Sequence, residues 1–179
     1  MSYSSSTYLS YLCLTKLQNT QQMKILILCT GNSCRSQMAQ GWLQSFDKNL
    51  IVCSAGTDPA GEVNPLAIKT MKNSGIDISS HTPKSIERYL NEPWDYVITV
   101  CGDANENCPV FKGKVRHRLH IGFYDPSRAT GTPEFIESEF RRICIQIKTK
   151  MYDFYNDEIL NGDGGPTCTC GANRFCRCN

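Results

Sequence analysis

The chain has 179 residues, 40% hydrophobic and 20% charged, with a net charge of +2 from 19 Lys+Arg against 17 Asp+Glu. That length suits one domain with a sizeable core and is too short for two ordinary ones. The near-neutral balance carries no footprint of a nucleic-acid or membrane-surface binder, and no apolar run approaches the ~18–20 residues of a membrane-spanning helix. Eleven cysteines, an odd number, cannot all pair within one chain. A domain of this size does not need disulfide staples, so the cysteines read as chemistry in a reducing, cytoplasmic setting.

Residues 1–22 are rich in Ser, Thr, Tyr and Gln and show neither helical nor strand period. No basic residue precedes Tyr8–Leu14 and no small-residue cleavage site follows it, so a signal peptide is a poor reading. The segment is expected to be a mobile extension, with Met23 as an alternative start. Ile25-Leu26-Ile27-Leu28 is a continuous apolar run, the pattern of a parallel strand buried on both faces. A polar loop at 29–35 follows, and Met38, Trp42, Leu43 and Phe46 then fall on one face of a helix. Leu50–Cys53 reads as a second short strand. Pro65 opens a helix carrying Leu66, Ile68 and Met71, with Gly75 as terminator. Tyr96–Val100 is a β-branched third strand, and Val115–Ile121 a weaker fourth. Thr132-Pro133 starts a long helix with Ile136, Phe140, Ile143, Ile147, Met151 and Phe154 at spacings of three and four. Strands alternating with helices predict an α/β fold: a doubly wound, open four-stranded parallel sheet flanked by helices over residues 23–155. Ligands of such sheets sit beyond the carboxyl ends of the strands, where Cys29 and Cys101 fall. Residues 156–179 form a Cys-rich tail.

The loop Cys29-Thr30-Gly31-Asn32-Ser33-Cys34-Arg35-Ser36 joins a buried strand to a helix. Its amides can curl into a nest at the helix N-terminus, a site for a tetrahedral oxyanion, and Arg35 can grip two of the oxygens with its planar fork. The same positive field is expected to lower the Cys29 pKa and make it a thiolate, while Gly31 permits backbone angles closed to other residues. Cys29 is otherwise a small core residue at a strand end, a reading that leaves Arg35 and the polar loop unexplained. Asp125-Pro126, after the fourth strand, is by itself equally a turn former.

A Cys, five residues, then Arg-Ser after the first strand resembles the anion loop of the low-molecular-weight protein tyrosine phosphatases. The string Cys29–Ala39 (Cys-Thr-Gly-Asn-Ser-Cys-Arg-Ser-Gln-Met-Ala) is similar to the thioredoxin-coupled arsenate reductases built on that fold, since the phosphatases usually have Pro where this chain has Gln37. Ser54-Ala55-Gly56, Asn64-Pro65, Asp77-Ile78-Ser79, Thr99-Val100-Cys101 and Gly122–Pro126 extend the resemblance over residues 23–155. It implies that Cys29 is the nucleophile, that residues 30–36 bind the oxyanion and that Asp125 is the general acid. Ser36 is expected to hydrogen-bond the Cys29 sulfur, and Asn32 to brace the loop. Reducing arsenate to arsenite moves two electrons, so two thiols must end as a disulfide. Cys101 and Cys108 match the family's second and third redox cysteines, which a phosphatase does not need. If residues 101–108 are helical, those Cα atoms lie about 10 Å apart and must come within about 7 Å to bond, so the segment is expected to melt on oxidation. Thioredoxin is the implied reductant.

Some members of the family hold potassium through acidic side chains at positions matching Gln40 and Lys84. Neither is acidic here, so no such site is expected, and neither a resident metal nor a cofactor is predicted. Cys34 could pair protectively with Cys29 but is dispensable for reduction. Cys13, Cys53 and Cys144 read as free or core thiols, and His81, His117 and His120 as surface residues or members of local hydrogen bonds. The tail motifs Cys168-x-Cys170 and Cys176-x-Cys178 leave zinc or arsenite binding and an irregular tail both open. The reading is a monomeric, cytoplasmic arsenate reductase acting on arsenate and coupled to thioredoxin, with no nucleic-acid or membrane partner. The alternatives are a low-molecular-weight tyrosine phosphatase acting on phosphomonoesters and a non-catalytic thiol module binding arsenite or zinc.

Overall fold

The computed structural model describes residues 22–101 and 110–161, together with the backbone of 176–177. Cys13, Cys108, Cys168, Cys170 and Cys178 lie outside these residues, and so does the proposed melting segment apart from Cys101. Four parallel strands form the sheet: β1 (Lys24–Cys29), β2 (Ile51–Gly56), β3 (Trp94–Thr99) and β4 (Val115–His120). Their order is β2-β1-β3-β4, and a two-residue antiparallel strand, β5 (Cys176–Arg177), extends the β4 edge. The continuous apolar run of β1 has the reason anticipated for it. Ile25 and Ile27 pack into one cluster, and Leu26 and Leu28 into another, because successive side chains leave a strand on opposite faces.

Helices α1 (Arg35–Phe46), α2 (Pro65–Asn73) and α3 (Pro133–Phe154) cover the first face. Met38, Leu43, Ala67, Met71, Phe140, Ile143, Ile147 and Phe154 are buried there. The other face is closed by Leu26, Leu28, Trp94, Val97 and Phe111, with Ile86 contributed by a short 3-10 turn, Ile86–Tyr89. Side-chain oxygens mark the helix starts: Asn64 accepts from the Leu66 amide before Pro65, and Thr132 from the Phe135 amide before Pro133. These are N-caps followed by proline at the first helical position. Gly75 (φ 82°) follows α2 in the left-handed region as its terminator.

Strand ends shift by one or two residues, with β3 starting at Trp94 rather than Tyr96, and two boundaries differ by more. The second strand runs to Gly56 rather than ending at Cys53, because Ser54 and Gly56 are small for a reason other than turning, while Ala55 packs on the opposite face with Leu26 and Leu28. A Cβ at Gly56 would collide with the Thr30 carbonyl and crowd Asn32, so the small residues let β2 lie against the polar loop. Beyond α3 the helical path continues past residue 155 as a π-helical turn, Tyr155–Leu160. No helix among the described residues is long and apolar enough to cross a membrane.

Candidate active site

Parallel pairing sets the site. Leu28 lies opposite Thr99 on β3 and Cys29 opposite Gly56 on β2, so Cys29, Cys101 and the loop after β4 all emerge at the carboxyl end of the sheet. Cys29 is 3% exposed and Cys101 2%. The Thr30 hydroxyl lies 3.5 Å from the Cys101 sulfur, bringing the second thiol against the loop that begins with the first.

The loop's carbonyls are all engaged from outside. Cys29, Thr30, Gly31 and Ser33 accept from the amides of Thr57, Asp58, Ala60 and Asn64, Cys34 accepts from Met38 in α1, and Asn32 accepts from the Gln37 side chain. With every carbonyl from Cys29 to Cys34 occupied, the loop amides are the groups left for an oxyanion. The Asn32 amide donates to the Cys29 sulfur at 3.0 Å, and Ser36 Oγ lies 2.9 Å from the same sulfur.

Asn32 carries the left-handed turn, at φ 46°. That role had been assigned to Gly31, which does not take a positive φ. Asparagine tolerates this region because its short side chain bonds locally, and here every polar atom of it is used. Its Nδ2 donates to Ser36 Oγ and Ser54 Oγ, both at 2.9 Å, and its Oδ1 accepts from the Lys84 amide at 2.8 Å. Ser54 in turn donates to Gln40 Oε1. Gln37, fully buried, holds Asn32 through both its backbone and side-chain oxygens and receives His81 Nδ1 at 3.0 Å. Because the amide oxygen can only accept, His81 carries its proton on Nδ1 here. This brace of Gln37, Ser54, Gln40 and His81 was missed from sequence. The one signal was Gln37 itself, a polar residue facing a helix interior. Lys84 contributes its backbone, while its ammonium turns to the Thr82 carbonyl at the surface.

The expected low pKa of Cys29 is not what the arrangement gives. Burial pushes the thiol up, opposed by the Ser36 and Asn32 hydrogen bonds and, more weakly, by Arg35. The Arg35 guanidinium donates to Asp125 Oδ2 at 2.6 Å and to the Phe123 carbonyl at 3.1 Å. The other Asp125 oxygen accepts from the Ser127 amide and hydroxyl, capping the 3-10 turn Pro126–Arg128. Asp125 is therefore both the turn former and a member of the site. Cys34 is buried with only the Ser33 hydroxyl beside it and is pushed up to about 12. Cys144 packs on Met71 in the core, and Cys53 is half-buried on β2. No cluster of three or more metal-binding side chains occurs among the described residues.

A thiol with two hydrogen-bond donors, a nest of amides, an arginine and a carboxylate can together bind a tetrahedral oxyanion, attack it and protonate a departing oxygen. Known proteins resemble the chain over the same residues. A family profile described as low molecular weight phosphotyrosine protein phosphatase matches residues 24–161. An arsenate reductase from Bacillus subtilis (strain 168) is 44% identical over 131 residues, 73% of this chain and 93% of that protein. Arsenate reductase 2 of Staphylococcus saprophyticus is 43% identical over 134 residues, 74% of this chain and 96% of that protein. Among solved structures, an arsenate reductase in its oxidized state superposes with a TM-score of 0.61 at 27% identity, covering 75% of this chain and 97% of that one. With the profile spanning most of the chain and these relatives over two thirds of it, the protein belongs to the low molecular weight phosphotyrosine protein phosphatase family, in the group that contains the arsenate reductases.

Proposed function

We propose that the protein reduces arsenate to arsenite through Cys29, Cys101 and Cys108, within a catalytic body of residues 23–155. The observation that carries this reading is the buried Cys101 set against Thr30 of the anion loop. Hydrolysis of a phosphomonoester needs one nucleophilic thiol and one acid. A second thiol beside the first is what a two-electron reduction requires.

Arsenate sits on the amides of residues 30–35 with Arg35, and the Cys29 thiolate attacks arsenic. Asp125 protonates the departing oxygen, which leaves as water, and a sulfur–arsenic bond remains. Cys101 attacks the Cys29 sulfur, and the electron pair of the broken sulfur–arsenic bond stays on arsenic, giving arsenite and a Cys29–Cys101 disulfide. Cys108 then attacks Cys101, frees the Cys29 thiolate and leaves a Cys101–Cys108 disulfide. A dithiol reductant of the thioredoxin type reduces that bond by thiol–disulfide exchange. The protein's own residues supply every group in this sequence up to the external reductant, so no cofactor or resident metal enters. The reading fits a monomer in a reducing compartment such as the cytoplasm.

Arsenate-dependent NADPH oxidation, with thioredoxin and thioredoxin reductase present, tests the proposal. Wild type turns over repeatedly, whereas Cys108→Ser completes at most one round and Cys101→Ser, which cannot break the sulfur–arsenic bond, completes none. Sustained turnover in either variant, or none in wild type, refutes the relay.

A further inference from the structure

The Arg35–Asp125 contact does more than place two catalytic groups near one another. Both terminal nitrogens of Arg35 are spent on the acid loop, NH2 on the Asp125 carboxylate and NH1 on the Phe123 carbonyl. The pair is shielded, with 14% of the Arg35 side chain and 19% of the Asp125 side chain exposed. The guanidinium that should grip an incoming oxyanion is thus already gripping an anion that belongs to the chain. An oxyanion that arrived while the carboxylate stayed would place two negative groups on one guanidinium away from water, an arrangement like-charge repulsion disfavours. The loop's base is fixed by the Phe123 amide on the Val100 carbonyl and by buried Pro126, but the Asp125 side chain has no other hydrogen bond to the body of the protein among the described residues. Its remaining hydrogen bonds run to Ser127, within its own loop.

We propose that Asp125 is the resident counter-ion of the anion loop, and that a tetrahedral oxyanion binds by exchanging with it on Arg35 and loosening the turn of the acid loop that Asp125 caps, residues 125–129. Asp125 then limits oxyanion affinity as well as serving as the acid, and the acid becomes free to move only when substrate is present. The inference rests on the reading of residues 29–36 as an oxyanion site. Its signature runs against ordinary expectation, because filling the site loosens a loop beside it.

Inorganic sulfate, a non-reacting tetrahedral dianion, is the probe. Calorimetry compares its affinity for wild type, Asp125→Asn and Asp58→Asn. Asp58 lies on the neighbouring loop, bonded through its amide to the Thr30 carbonyl without touching Arg35, and so controls for bare charge. Hydrogen exchange on wild type with and without sulfate follows the Ser127, Arg128 and Ala129 amides, which are bonded within the acid loop. This second measurement needs no variant to fold. The expected result is sulfate binding on the order of tenfold tighter in Asp125→Asn, with little change in Asp58→Asn and lower protection of the three amides in wild type on binding. Equal or weaker binding in Asp125→Asn overturns the exchange, as does equal tightening in both variants or a gain of protection. Sulfate binding to none of the three proteins overturns the anion-site reading itself.

Discussion

The two loops that meet over Cys29 are built in opposite ways. The anion loop, residues 29–36, has every carbonyl from Cys29 to Cys34 occupied, and its turn residue Asn32 is buried with all its side-chain polar atoms bonded. The acid loop is anchored at its base by the Phe123 amide on the Val100 carbonyl and by buried Pro126, but Asp125 itself is held to the site by one ion pair, to Arg35. The difference separates two requirements of the chemistry. Stabilising developing charge needs donors fixed in advance, whereas the proposed proton donor rests on the arginine that the oxyanion would take. A rigid cradle and a latched acid meet both.

Substitutions can sharpen or break that contrast. The largest effect belongs to Cys29→Ser, which removes the proposed nucleophile. Arsenate turnover falls by more than about a thousand-fold while the denaturation midpoint moves little. Asp125→Asn comes next, with turnover lower by roughly 10²–10⁴-fold for loss of a general acid and stability nearly unchanged. A large loss of stability there would break the comparison, since it would make the acid loop a structural element like its neighbour. Asn32→Ala shows the opposite profile. It puts alanine at φ 46° and leaves a cluster of buried partners unpaired, so denaturant unfolding registers a loss of about 2–4 kcal/mol.

Ser36→Ala is milder. It removes a hydrogen bond that lowers the Cys29 pKa against burial, so the rise of kcat/KM with pH, which follows the thiolate, shifts to higher pH. The rate at pH 7 drops by roughly tenfold, and an unshifted profile would show that Ser36 does not tune the thiol. Smallest is a stability effect at Cys34, whose pKa is raised by burial to about 12. Its folded form holds a proton that the unfolded chain releases near the ordinary thiol value. This contribution is fully present below about pH 9 and is lost as pH rises toward 12. Cys34→Ala therefore unfolds with a shallower decline over that alkaline range than wild type.

Much of the fold could be read from periodicity. The β1 run, the caps before Pro65 and Pro133 and the spacing of apolar residues in α3 each have one dominant cause acting within a few residues. The end of β2 could not, because the smallness of Ser54 and Gly56 answers to a loop more than twenty residues earlier in the chain. In the site, Cys29, Arg35 and Ser36 were legible because strand end, loop and helix start are contiguous. The brace of Gln37, Ser54, Gln40 and His81 was not, since its members come from three segments and meet only through Asn32. The thiol's electrostatics were misread for a related reason. A positive loop was visible in the sequence, but the burial that pushes the thiol up is set by the packed fold around Cys29. Three of the notable sequence features, Cys108 and the two tail motifs, fall at or beyond the limits of the described residues.

The central claim is that Cys29 and a thiol beside it share the two electrons given to arsenic. Its most direct test is a single turnover without external reductant: fully reduced protein is mixed with excess arsenate, arsenite is counted, and the disulfide is mapped by mass spectrometry. The account predicts one arsenite per chain and a Cys101–Cys108 disulfide, with a Cys29–Cys101 disulfide accumulating in Cys108→Ser. Arsenite formed in Cys101→Ser at the wild-type yield, or a disulfide that excludes Cys101, would contradict it.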